Sequence, residues 1–173
     1  MLFQFVGAAA VIVGTSGLGM YYAAREGFRA NELLELKKAL LILSSEIEYM
    51  RAPLNMACAN IAKRTENTTA TLFGEFALGL DTGEGETAYQ VWLTAMAAIK
   101  EQSFLVEEDM TILDGFGKTL GYLDKHMQKN AIDFAIDYID EKVTELQNKN
   151  SKNKRMYRSL GIICGLLISV ILW

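Results

Sequence analysis

Charged side chains are confined to one stretch of this chain, from Arg25 to Arg158, and both ends are apolar. Leu2 to Ala24 is 23 residues without a charge, and Leu160 to Trp173 is fourteen more. A helix rises about 1.5 Å per residue against a hydrocarbon core roughly 30 Å thick, so the first run is long enough to cross with some tilt. The second run reaches roughly 27 Å when it begins at Met156, with Arg158 snorkelling to the headgroups. Tyr21, Tyr22, Tyr157 and Trp173 stand where an interfacial aromatic belt belongs. The pattern predicts membrane helices over 1–24 and 156–173, with a charged domain of residues 25–155 between them. Arg25 and Arg29 follow the head, and Lys149, Lys152, Lys154, Arg155 and Arg158 precede or open the tail. These basic collars assign the middle to the cytoplasm. A cleaved signal peptide carries its bases ahead of the apolar run; here they come after it.

Within the middle the pattern is helical throughout. Leu33, Leu36, Leu40, Leu43, Ile47, Met50 and Leu54 recur at alternating spacings of three and four, a heptad seam. Pro53 predicts an end to this helix near Met50 and opens a second, PLNMACANIAKR. A third helix is expected from Thr68 to Leu80 with Asn67 as its N-cap. Two glycines and three acids make DTGEGE a loop. Thr87 to Gln102 predicts a fourth helix with Tyr89, Trp92, Leu93, Met96 and Ile99 on one face. A short fifth follows from Leu105 to Leu113, and Gly115, Gly117 and Gly121 are read as a break. The last helix starts near Leu123 and keeps Ile132, Ile136, Ile139, Val143 and Leu146 in register. QNKNSKNKR lacks Gly and Pro and is read as helix running on into the tail. The expectation is an all-α fold: a bundle of about six helices flanked by an N-terminal and a C-terminal transmembrane helix, its stripes forming a core.

Charge sharpens this picture. The net charge of −4 conceals eight bases against eighteen acids between Ala39 and Asn148, a local net of −10. Such a body disfavours nucleic acid, which requires clustered Lys and Arg, and suits a protein partner presenting basic residues. Cys58 and Cys164 lie in unlike regions, which argues against a disulfide, and a single histidine leaves no zinc spacing. His126 and Asp124 are two residues apart and do not face each other on a helix. Glu46 and Glu48 likewise point to different faces. Glu107, Glu108 and Asp109 read as a charged first helical turn favoured by the macrodipole. GFGKTLG lacks the spacing and preceding strand of a phosphate loop. No enzyme, cofactor, metal or transporter signature emerges.

Two stretches carry a family resemblance. LLELKKALLILSSEIEYMRAPLNMACANIAKR (Leu33 to Arg64) and LDGFGKTLGYLDKHMQKNAIDF, continuing to the apolar tail, resemble the stage III sporulation protein AB family of endospore-forming bacteria. Its most specific parts are SEIEY…PL, then Gly117, Leu120, Gly121 and Asp124 with Gln128, and YRSLG at the start of the tail. Met50-Arg51 departs from the small residue the family carries before its proline helix. The resemblance implies a non-enzymatic component of the channel linking mother cell and forespore, in the mother-cell membrane. Its soluble part would be similar to cytoplasmic domains of type II secretion and type IV pilus platform proteins. A secretion-type ATPase of the same complex, other membrane subunits and a second copy of the chain are the implied partners. Glu46, Glu48, Asp124 and Gln128 are the candidates for the partner-facing surface. The competing reading is a sensor whose bundle, between two anchors, binds a ligand on the outer side; thiol labelling of Cys58 in intact cells would separate the two.

Overall fold

The computed structural model describes the backbone of residues 2–50, 53–83, 86–120 and 125–171, and the side chains of 24–48, 53–83, 86–120 and 126–149. Among the described residues six α-helices follow one another: α1 Leu2–Ser45, α2 Leu54–Arg64, α3 Asn67–Thr82, α4 Ala88–Ile99, α5 Glu107–Gly117 and α6 Lys125–Ile171. A π-helical turn, Glu46–Met50, is attached to the end of α1. There is no strand among the described residues. The chain divides into two compact units, one of Arg29–Val143 and one of Met1–Phe28 with Thr144–Trp173. Among the described residues no helix is long and apolar enough to cross a membrane. The membrane helices expected over 1–24 and 156–173 lie, apart from Ala24, outside the residues whose side chains are described.

Inside the Arg29–Val143 unit, the apolar stripes close into one core. Leu33, Leu36, Leu40 and Leu43 of α1 are buried with Ala57, Cys58 and Ile61 of α2 and Leu72, Phe73 and Phe76 of α3. Ile132, Ala135 and Ile139 supply the inner face of α6. The heptad seam is thus real for four positions and then stops. Ile47 and Leu54 are half-buried, and Glu46 is buried instead. A π turn adds a residue relative to an α turn, which moves the inward face off the heptad register. Pro53 ends this region as expected, standing at the N-cap of α2.

Trp92 organises the far side of the core. Its ring meets Phe73, Phe76 and Phe116 edge-on, with centroids 5.7, 5.1 and 5.4 Å away. The indole N–H donates to the Leu113 carbonyl at 3.0 Å, so the polar end of the ring is satisfied. The buried face of α4 is Val91, Trp92, Ala95 and Ile99; Leu93, expected inside, is exposed. Gly115 lies inside α5 and Gly117 is its last residue, so the expected break before the last helix falls at the second of these glycines. A Cβ at Gly117 would lie 2.0 Å from Trp92 Cδ1, so this glycine is what lets α5 approach the indole.

Local signals set the helix starts. Thr87 and Gln90 form a reciprocal capping box on α4, with Gln90 N–H donating to Thr87 Oγ1 and Thr87 N–H to Gln90 Oε1. Asn67 is not the N-cap of α3; it is the first helical residue, at φ 53°, a conformation asparagine tolerates better than most side chains. α1 and α6 run antiparallel across the unit, tied by Lys37 to Asp140 at 2.6 Å and by Lys129 to Glu48 at 3.2 Å.

Candidate partner-docking site

Two polar sites lie at the two poles of the Arg29–Val143 unit. At the first, α1 and α6 leave the unit. Asp109, in the first turn of α5, is 2% exposed and accepts from Arg29 Nε and Nη2, each at 2.8 Å. The Tyr138 hydroxyl donates to the same carboxylate at 2.9 Å, as does the Val106 N–H, which caps α5. One turn along α1, Glu32 accepts from Ser103 Oγ at 2.7 Å, from Phe104 N–H at 2.8 Å and from Thr68 Oγ1. Together these contacts tie α1, α3, α5, α6 and the α4–α5 loop at one end.

The electrostatics fit a lock rather than a reactive centre. The Arg29 pKa is raised, first by its hydrogen bonds to Asp109. Tyr138 is pushed well above the ordinary tyrosine range, first by burial and then by donating to Asp109. Burial raises the Cys58 thiol to about 12, which keeps it protonated and inert at neutral pH. One expectation changes here: Arg29, assigned to the basic collar, has its guanidinium in a bidentate pair with Asp109, whereas Arg25 is exposed. The Glu107–Asp109 run opens α5 as a charged first turn, as expected, and its third member turns inward.

The opposite pole holds a groove of about 240 Å³, lined by Ser44, Ile47 and Glu48 of the α1 end and by His126, Lys129 and Ile132 of α6. Its floor is apolar and its rim carries the Glu48–Lys129 pair. Of the four predicted partner residues, Glu48 is exposed on this rim, and Gln128 is half-buried on the neighbouring turn of α6. Glu46 is 6% exposed and turned from the solvent, so it offers little surface to a partner. Asp124 lies outside the described residues, as does Trp173. Lys154, Arg155, Tyr157 and Arg158 are in the helical part of α6, beyond the described side chains. Sequence reasoning missed Asp109 and Glu32. A signal existed for the first: Arg29 sits one turn before Leu33 on the seam, and a charge on an inward stripe calls for a buried counter-charge.

Among the described residues no group of His, Cys, Asp or Glu is arranged to hold a metal ion. A helical unit braced at one pole and grooved at the other defines an all-α protein. More particularly, the chain belongs to the stage III sporulation protein AB family, whose sequence profile matches residues 4–173. It is 29% identical over 171 residues to the stage III sporulation protein AB of Bacillus subtilis (strain 168), covering 99% of each chain. A solved structure of a stage III sporulation protein AB superposes with a TM-score of 0.67 at 27% identity, covering 72% of this chain and 97% of that one.

Proposed function

We propose that this protein is a membrane-anchored platform component of a sporulation channel, non-enzymatic, that docks a cytoplasmic secretion-type ATPase in the Ser44–Ile132 groove. The observation that carries the reading is the groove's make-up: an apolar floor rimmed by the Glu48–Lys129 pair, at the end of the Arg29–Val143 unit opposite the Asp109 cluster. The groove also unites Glu48 with Lys129, 81 residues apart in sequence, and Gln128 adjoins it on α6. An apolar floor with a charged rim is the usual construction of a specific docking site. The surrounding acidic body adds attraction for a basic surface, an effect that salt screens.

The test is a pull-down of the detergent-solubilised full chain against the ATPase of the same complex, across a salt series. Binding is expected to weaken at least tenfold when Glu48→Arg and Gln128→Ala are combined, and to decline as salt rises. Undiminished, salt-independent binding by that variant would remove the groove from the reading.

A further inference from the structure

We propose that copies of this chain associate head to tail, the outer face of α2 on one copy packing against the outer face of α6 on the next. Phe134, at 64% exposed, is the most exposed of the large apolar side chains described, and Met127 lies seven residues before it on the same face of α6. Continuing along that face are Asp137 and Glu141, with Asp133 beside them, all exposed. None of these three acids forms an ion pair with a described residue, whereas Lys129 and Lys142 of α6 are engaged by Glu48 and Glu108. Acids four residues apart on a helix repel one another, so this row is unfavourable in an isolated copy.

A matching face stands on α2. Met56 is 57% exposed, and seven residues on come Lys63 and Arg64, both exposed and both without an ion pair among the described residues. The seven residues from Met56 to Lys63 match the seven from Phe134 to Glu141, about 10 Å on each helix. Set side by side in parallel, Met56 meets Phe134 while Lys63 and Arg64 meet Glu141, with Asp137 one turn nearer the apolar contact. Set antiparallel about the same Met56–Phe134 contact, the bases fall on Met127 and the match is lost. Glu66 follows the α2 bases and is exposed, while Asp81 near Met56 already accepts from Asn55.

The heights agree as well. Thr68, just past α2, bonds to Glu32 of α1, and Asp140 of α6 bonds to Lys37. Glu141 and Lys63 thus lie within about one helical turn of the same level along α1. Two copies held in one membrane with the same topology would present these faces in the parallel sense; this shared topology rests on the anchoring proposed above. Different surfaces meet on the two partners, so the contact is heterologous and can extend past a dimer or close into a ring. Confinement to a membrane raises the effective concentration enough for a modest contact to be populated.

The test uses the full chain in vesicles with Cys164→Ser, which leaves Cys58, buried and inert, as the remaining native thiol. Met56→Cys and Phe134→Cys are introduced together and oxidised with copper phenanthroline. A ladder of dimers, trimers and larger species is expected from the pair, and monomer from either substitution alone. Lys63→Glu with Arg64→Glu should lower the ladder at least fivefold, and adding Asp137→Lys with Glu141→Lys should restore it. Monomer throughout, dimers from the single variants, or a ladder indifferent to charge reversal would each overturn the proposal. No ATPase is present, so failure here is distinguishable from failure of the docking reading.

Discussion

Replacing Asp109 by alanine would leave the Arg29 guanidinium, the Tyr138 hydroxyl and the Val106 N–H without their acceptor in a part-buried setting. Removing one partner of a buried ion pair typically costs about 3–5 kcal/mol, most of it the stranded charge. Asp109→Ala should therefore lose about 3 kcal/mol or more in urea denaturation, with Asp109→Asn losing less because an acceptor remains. Tyr138 supplies a pH signature at the same spot. Its pKa is raised on folding, so its contribution is complete below the ordinary tyrosine value of about 10 and is lost as pH climbs beyond it. Tyr138→Phe should accordingly lessen the alkaline fall in stability measured between about pH 10 and 12. The helix start at Glu107–Asp109 was legible in sequence, but which carboxylate turns inward depends on a guanidinium 80 residues away. No local pattern encodes that distance.

Among the elements, α4 and α5 show what periodicity misses. The aromatic spacing of α4 identified Trp92 and Ile99 correctly, yet placed Leu93 inside because hydrophobicity alone cannot tell the two flanks of a stripe apart. Glycine at 117 does end α5, as its low helix propensity suggests, but it also has a packing role that propensity does not reveal. Its role becomes visible only when Trp92 is brought against it. Gly117→Ala should destabilise by about 1–3 kcal/mol through overpacking, read as a lowered thermal midpoint, despite the better helix propensity of alanine. Trimming the ring with Trp92→Phe on the same background should recover part of that loss if the clash is with the indole.

For the molecule as a whole, helix number and order could be read from the stripes because each helix buries one face. The pairing of Glu48 with Lys129 and of Lys37 with Asp140 could not, as these join residues 81 and 103 positions apart. Topology also requires a different probe from the native thiol. Cys58 is 1% exposed, so it should resist impermeant reagents on either side of a membrane until the fold is opened by denaturant. Lys100→Cys in a Cys164→Ser chain is exposed at the end of α4 and is the better reporter. Labelling only after lysis is expected; labelling in intact cells would reverse the assigned orientation.

The short turn between α1 and α2 carries a consequence for how this surface can vary. Because Glu46–Met50 winds with π geometry, it holds one residue more than an ordinary α turn of similar rise. Losing a single residue there would let the helix run through unbroken, swinging Glu48 about a quarter-turn from Lys129 and reshaping the groove. Chain length, alongside residue identity, tunes this pole: among relatives, a one-position gap at this point would mark a changed docking geometry even where every flanking side chain is retained.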